Sequence, residues 1–330
     1  MGVAGLVVWV MLVRSMLSLS EDDVRKWLDP TSLIDAIEEA FRARYPQVLM
    51  PARMQLPVAD GLLIMSCYDP GTNLMGMKLV TVQANPARPE DRVQATCLLL
   101  NPATSSPHLI MSARYLTDLR TAATSAVATR ALAREDSRVL GIFGTGRQAR
   151  AHVRVLPQVR EFERILVCGR NLHAAKVFAG DLMIESSVPI EVASASECAA
   201  ESDVLCTCTA ASQPLFDGQL LRPGTHLNLV GTFQPHACEV DHGVITRARV
   251  VVDTYEGAQV EAGDLLLPMR AGLISPDHIA SDLHHLLSRT KPGRQSQQQI
   301  TAFKSVGCAL EDLVAMEALA RSAVFASGSR

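Results

Sequence analysis

The chain has 330 residues, 48% of them hydrophobic and 20% charged, with a formal net charge of -3. So much apolar sequence supplies cores for two ordinary domains and excludes a disordered chain. The slightly acidic balance excludes a general attraction to nucleic acid, and Arg130, Arg134, Arg138, Arg147, Arg150 and Arg154 fall at helix-like intervals that read as a solvated face.

Residues 1–13 are uncharged and apolar and are followed by Arg14. The stretch is short for a membrane span and lacks a basic leading region. Residues 1–15 therefore read as an overextended start, an added surface element, or a signal or anchor, and Met16 makes a natural first residue for the domain. Ser20-Glu21-Asp22-Asp23 supplies a helix N-cap with acids in the first turn. A second helix, with Pro30 at its first position, runs to about Tyr45. Strand-like runs follow at 53–56, 62–68, 74–82 and 95–101, separated by turn signals at Asp60-Gly61, Asp69-Pro70-Gly71 and Asn85-Pro86, which predicts an antiparallel meander with helices on one side. An alanine-rich helix spans 115–134. From Arg138 the pattern alternates: strand 139–143, helix to about Val155, strand 165–168, helix 171–184, then strands at 203–207, 226–230 and 249–252. This is the rhythm of a doubly wound α/β domain. A last helix ends near Phe325 and is expected to pack back on the first domain, giving an α+β domain over 16–120 and 308–326 and a Rossmann-type domain over 121–307.

The strand Val139–Phe143 runs into Gly144-Thr145-Gly146-Arg147-Gln148-Ala149. Gly144 permits a tight turn, Gly146 lets the backbone approach a pyrophosphate, Ala149 takes the small third position, and the helix N-terminus offers unpaired N–H groups to the anion. NAD binders place an acid at the end of the next strand for the ribose 2′-OH. Here Cys168-Gly169-Arg170-Asn171 carries an arginine suited to a 2′-phosphate, so NADPH is expected, with NADH possible. Lys78 lies in an apolar run, where an unpaired ammonium would be costly, and an anionic partner is expected for it.

Eight cysteines include no Cys-x-x-Cys pair, and their spacing supports neither a structural zinc nor a disulfide framework. They read as reduced core residues of a cytoplasmic protein, and Cys206-Thr207-Cys208 alternates as a strand would. His236, in Gln234-Pro235-His236, is the best-placed histidine for proton transfer and equally a surface loop residue. His278, His284 and His285 have no metal-ligand spacing with acids, so no metal is expected.

Several separate motifs agree on a family. They are Gly76-Met77-Lys78, Tyr115-Leu116-Thr117-Asp118-Leu119-Arg120-Thr121-Ala122-Ala123, the Gly144 turn, Val230-Gly231 through Pro235 and Glu239, Glu261-Ala262-Gly263-Asp264, and Phe303-Lys304-Ser305-Val306-Gly307. Over 16–326 the chain resembles the ornithine cyclodeaminase/mu-crystallin family. The resemblance implies a homodimer built through the sheet of the substrate-binding domain, and cofactor contacts from Thr145, Arg147, Gln148, Thr209, Ser305, Val306 and Gly307. It also carries a carboxylate-binding role onto Arg53, Lys78 and Arg120, the last two as catalytic residues. The cyclodeaminases use an acid in the strand before the Gly-x-Lys element and an Asp just after the Val-Gly pair, where this chain has Met65 and Phe233. Neither accepts a proton, and an apolar wall suits the ring of a cyclic imine. The expected activity is NADPH-dependent reduction of a cyclic ketimine carboxylate, from Δ1-pyrroline-2-carboxylate to proline or from its six-membered homologue to pipecolate. An alanine or N-alkyl amino acid dehydrogenase, an ornithine cyclodeaminase and a mu-crystallin-like NADPH- and hormone-binding protein are the alternatives.

Overall fold

The structure is a computed structural model and describes residues 16–56, 61–83, 93–104 and 106–327, with side chains to 323. The apolar segment 1–15 lies outside the described residues, as do Asp60 and the Asn85-Pro86 turn. In chain order the first elements are β1 (Leu17–Leu19), α1 (Glu21–Trp27), α2 (Pro30–Glu39), β2 (Met54–Leu56), β3 (Leu62–Asp69), β4 (Leu74–Val82), β5 (Val93–Asn101), β6 (Ser106–Ser112) and α3 (Arg114–Leu132). There follow β7 (Val139–Phe143), α4 (Arg147–Val155), β8 (Arg164–Cys168), α5 (Leu172–Met183), β9 (Ile190–Val192), α6 (Ala195–Glu201), β10 (Val204–Thr207) and β11 (His226–Leu229). The last are α7 (His242–Arg247), β12 (Arg249–Val252), α8 (Tyr255–Glu261), α9 (Gly263–Arg270), β13 (Ile279–Asp282), α10 (Leu283–Leu287), β14 (Thr301–Lys304) and α11 (Ala309–Ser327).

The chain divides into two compact units. The first holds 16–29, 44–117 and 309–327 of the described residues, the second 30–43 and 118–308. The division falls inside α3, between Thr117 and Asp118, rather than after Arg120, and the expected first-domain helix α2 belongs to the second unit. The reason for the latter is a set of side-chain contacts inside that unit. Arg130 of α3 pairs with Asp35 at 2.9 Å and Glu38 at 2.6 Å, and His284 Nδ1 meets the Phe41 carbonyl at 2.8 Å.

In the first unit six strands form a sheet in the order β1-β6-β5-β4-β3-β2. It is antiparallel except for β1, which lies parallel to β6 and which the sequence pattern did not reveal. Side chains alternate strictly, as the period of two requires. Leu63, Met65 and Cys67 of β3 and Cys97 and Leu99 of β5 are buried on the inner face, which α11 covers. Gly76 brings that helix close: a Cβ there would lie 2.5 Å from Met316 Cε and 2.9 Å from Leu313 Cδ1. Ser20 caps α1 in a full capping box with Asp23.

The second unit is an eight-stranded, all-parallel sheet in the order β13-β12-β14-β11-β10-β7-β8-β9. The strand order reverses between β7 and β10, and in such sheets ligands bind beyond the carboxyl ends of the strands at that switch point. Strands buried on both faces read as continuous apolar runs, as in Leu140–Phe143 and Val250–Val252, all fully buried. The C-terminal carbonyls of α3 would be orphaned in this interior without partners. Arg160 Nη2 donates to the carbonyls of Thr129, Arg130 and Ala133, and Arg294 Nε donates to that of Leu132.

Two histidines are enclosed in this unit. His152 of α4 bridges the Gln148 carbonyl (2.8 Å) and Ser125 Oγ (2.9 Å), and burial lowers its pKa from 6.5 to about 4. Burial, with the Arg294 charge adding to it, lowers that of His226 on β11 to about 3. Unfolded, both titrate near 6.5. Between there and about pH 4 the unfolded chain therefore binds more protons, and stability falls as the pH falls. We expect a loss on the order of 2 to 3 kcal/mol per histidine by about pH 4.5 relative to neutrality. Urea unfolding across this range checks it, and His152→Gln should remove that residue's share of the slope. An unchanged slope in the variant would rule the assignment out.

Candidate active site

The turn after β7 is shaped for a phosphate group. Gly144 has φ +117, and a Cβ on it would lie 2.5 Å from the Cys208 carbonyl oxygen at the end of β10, so glycine is required twice over. Gly146, at the N-cap of α4, has no side-chain cap bond, and no atom lies within 4 Å of the position its Cβ would take. Open space therefore stands above unpaired first-turn N–H groups, the arrangement that binds a pyrophosphate. Ala149 is fully buried where the helix packs on the sheet. Beyond β8, Gly169 lies against Thr145, whose Cγ2 would be 2.8 Å from an added Cβ. Arg170 next to it is exposed and makes no hydrogen bond or ion pair with another described residue. Asn171 caps α5 by accepting from the Ala174 amide at 3.0 Å. These features fit a dinucleotide: the turn and helix N-terminus would hold the pyrophosphate, and Arg170 would meet an anionic group on the ribose.

Three buried or half-buried acids shape the loops at the carboxyl edge of the sheet. Asp118 Oδ2 accepts from Arg147 Nε (2.8 Å) and Nη2 (2.6 Å), while its Oδ1 accepts from Gln148 Nε2 at 3.2 Å. The side chains of Arg147 and Gln148, expected on the cofactor, are thus engaged by α3. Glu239 is fully buried and ties together the ends of β10 and β11. Its Oε1 accepts from the Thr209 amide (2.9 Å) and hydroxyl (2.6 Å), and its Oε2 from Thr207 Oγ1 (2.8 Å) and the amides of Gly231 (2.8 Å) and Thr232 (3.2 Å). Burial pushes the Glu239 carboxyl up, against the opposing pull of the Lys304 charge and the threonine hydroxyls. Asp253, directly after β12, accepts through Oδ2 from Ser305 Oγ (3.0 Å) and from the amides of Val306 (2.7 Å) and Gly307 (2.6 Å).

The three cations expected at a carboxylate divide between the units. Arg120, expected in the first domain, belongs to the second unit, where it is buried against the Ser305–Gly307 turn. Gly307 has φ +79, and a Cβ there would lie 2.8 Å from Arg120 Nη1. Lys78 and Arg53 belong to the first unit. Lys78 is 2% exposed on the inner sheet face, and its Nζ lies 2.8 Å from Asp312 Oδ1 of α11. The anionic partner its burial demanded is thus a residue of this chain. Arg53 is half-buried just before β2, with Nε withdrawn from solvent. The segment leading to it is held at the start of α11, where the Leu310 amide donates to Met50 Sδ at 3.3 Å.

Other expected candidates are placed as follows. His236 is exposed and lines a cleft of about 620 Å³ with His242, Asp241 and Pro214. His285 Nδ1 pairs with Asp282 at 2.7 Å, and His278 Nε2 meets the Ile245 carbonyl at 2.8 Å. All eight cysteines are free, and burial pushes the thiols of Cys67 and Cys206 up to about 12. Sequence reasoning missed the structural work of Asp118, Asp253, Asp264 and Asp312. The signal for Asp253 was an acid at the carboxyl end of the apolar strand Val250–Val252, where loops beyond a parallel sheet need acceptors.

An all-parallel doubly wound sheet with a glycine turn at its switch point makes the second unit a dinucleotide-binding domain of the Rossmann type. The chain belongs to the ornithine cyclodeaminase/mu-crystallin family, whose pattern matches residues 14–325. It is 34% identical to a Δ1-pyrroline-2-carboxylate reductase of Bacillus cereus, over 94% of this chain and 97% of that one. It is also 34% identical to the mouse ketimine reductase mu-crystallin, over 92% and 96% respectively. Among solved structures it is similar to the Δ1-pyrroline-2-carboxylate reductase of Thermococcus litoralis in complex with NADH and L-proline. That similarity has a TM-score of 0.90 and 33% identity, covering 94% of this chain and 98% of that one.

The fit of Arg120 onto Gly307 is testable without a substrate. Gly307→Ala should lower the unfolding free energy by roughly 1 to 2 kcal/mol through left-handed backbone strain alone, and by more where the new methyl meets the guanidinium. In the Arg120→Ala background the second part should vanish, giving a measurable coupling in a double-mutant cycle. Strict additivity would mean that Arg120 does not rest on this turn.

Proposed function

We propose that this chain is an NADPH-dependent reductase of cyclic ketimine carboxylates, converting Δ1-pyrroline-2-carboxylate to proline or its six-membered homologue to pipecolate. The choice within the family is carried by the pair Met65 and Phe233, which by the family resemblance occupy the positions where the cyclodeaminases carry acids. Met65 lies in register with Lys78 on the inner face of the first sheet and is 5% exposed. A thioether there removes no proton and pairs with no second amine, so deamination has no base at this point. Reduction of a C=N bond asks less of the chain.

The bound nicotinamide supplies a hydride. The chain's own residues fix the substrate and stabilise charge. Arg120 offers a planar fork of permanent charge to the substrate carboxylate, and the family resemblance assigns Lys78 and Arg53 to the same anion. An ammonium has three donors, of which the contact with Asp312 uses one. Arg170 favours NADPH through the 2′-phosphate, with NADH the weaker alternative; the Thermococcus relative, solved with NADH and L-proline, supports the cofactor class and the product class. Sites for Thr145, Asn171, Thr209, Ser305 and Val306 on the cofactor rest on the same resemblance.

We also propose a homodimer formed through the outer face of the six-stranded sheet. Ile64 and Leu79, Met77 and Leu98, and Leu98 and Ile110 are cross-strand partners there, giving a broad apolar face. An archaeal alanine dehydrogenase of similar structure, with 28% identity and a TM-score of 0.89, is described as a dimer. Among the described residues no helix is long and apolar enough to cross a membrane. The buried free thiols support a cytoplasmic setting.

A steady-state panel of cyclic imino acids and keto acids, with NADPH and NADH, tests the activity. Turnover of Δ1-pyrroline-2-carboxylate is expected, and tight NADPH binding without turnover of any imine would overturn the reading. Arg170→Asp should raise the KM for NADPH and affect NADH less, because it puts a repelling charge where a phosphate partner stood; equal losses with both cofactors would remove Arg170 from that role.

Arg120→Ala leaves the substrate anion partly unpaired, which should cost roughly 2 to 5 kcal/mol. The kcat/KM for the imino acid should therefore fall on the order of a hundredfold or more. Arg120→Lys should recover only part, since it keeps the charge and loses the fork. Normal turnover, or a loss confined to NADPH binding, would place the carboxylate elsewhere.

A further inference from the structure

We propose that Asp312 is a positioning residue for Lys78, fixing the direction of its ammonium on the inner face of the first sheet. The proposal rests on the reading of Lys78 as a substrate contact and goes beyond it by naming what holds that lysine. Two contacts between β4 and α11 form consecutive rungs. Gly76 and Lys78 are two residues apart and face the same side of the strand, a rise of about 6.6 Å. Met316 and Asp312 are four apart and share one helix face, a rise of about 6 Å. The spacings match, so seating Met316 over Gly76, where a Cβ would lie 2.5 Å from Cε, delivers Asp312 onto Lys78 at 2.8 Å.

In its cross-strand row Lys78 is flanked by Met65, Cys97 and Met111, which carry no charge when the thiol is protonated. The neighbouring row brings Cys67 beside Gly76, and burial pushes that thiol up to about 12. Among the charged groups of β3 and α11, Asp69 and Glu317 are bound by Arg44, at 3.0 Å and 2.9 Å, and Glu311, beside Asp312, is fully buried. Lys78 and Asp312 are 2% and 1% exposed. A buried ion pair is a weak source of stability compared with apolar residues of similar size. A requirement for a charged, directed amine explains its presence here.

The test uses the full-length wild-type chain with Asp312→Asn and Asp312→Glu. A buried ammonium that loses a carboxylate partner gives up its proton at lower pH. In Asp312→Asn the kcat/KM for Δ1-pyrroline-2-carboxylate should gain a descending limb near neutrality, falling roughly tenfold per pH unit above the new midpoint. NADPH affinity, read by fluorescence, should be unchanged, and Asp312→Glu should restore most of the alkaline activity. A variant profile parallel to the wild type would overturn the proposal. Removing half of a buried pair also destabilises the fold, so a second arm reads Lys78 in the folded wild type. The chain has five lysines, and 13Cε labelling with assignment by Lys78→Arg resolves this one. Its signal should stay constant from about pH 6 to about pH 10 in the wild type, in line with an ammonium held by a carboxylate. Titration inside that range would overturn the proposal. The same signal in Asp312→Asn should titrate at lower pH than in the wild type, a reading that needs no turnover and tests the role of Asp312 even if the wild type reduces no imine and the functional reading fails.

Discussion

Lys304 and Asp264 form an ion pair at 2.8 Å with no solvent exposure on either side chain, and the carboxyl edge of the parallel sheet is assembled around it. Two charges taken from water are tolerable only when their remaining hydrogen-bonding capacity is met. Lys304 Nζ also donates to the Thr232 carbonyl at 2.6 Å, and Asp264 Oδ1 accepts from the amides of Glu239 and Val240. The pair therefore fixes the backbone of Glu239, whose carboxylate then gathers Thr207, Thr209, Gly231 and Thr232. A charge at the end of β14 is transmitted in this way to the loops after β10 and β11. Gly231 sits in the middle of it, since a Cβ there would lie 2.3 Å from both Glu239 Oε1 and the Thr209 carbonyl.

The same device recurs along the carboxyl edge of the parallel sheet and at the glycine turn itself. Asp253 gathers the amides of 306 and 307, and Asp118 gathers the side chains of Arg147 and Gln148. Loops beyond a parallel sheet lack the ladder partners that strands have, and their N–H groups need acceptors from elsewhere. Buried carboxylates serve this purpose well, because charged acceptors form the stronger hydrogen bonds. Residues that the family resemblance assigns to the cofactor are thus held by acids to which it assigns no such contact.

Legibility in the sequence followed the range of the signal. The strand and glycine turn at 139–149, the inner-face alternation of β3 to β5 and the Ser20 cap are local patterns, and each stands where its residues indicate. The helix α2 was legible as a helix but not as part of the second unit, because that depends on Arg130 and His284 reaching it from distant parts of the chain. β1 and β9 are three residues each and carry no period to detect. Lys78 declared its need for an anion through its apolar neighbours. That the anion is Asp312, 234 positions later, follows only from the packing of α11 against Gly76.

The glycine turn has a consequence for the energetics of occupancy. The flanking side chains of Arg147 and Gln148 are already held by Asp118, and the space over Gly146 is open before anything enters it. A dinucleotide arriving there would not have to organise loops as it bound, and little conformational entropy would be lost by the chain. Calorimetry of such an event would record a small heat-capacity change, set by the ligand's own apolar surface rather than by coupled folding. Rigidity at this turn leaves the proposed choice of substrate to side chains outside it, such as Met65 and Phe233.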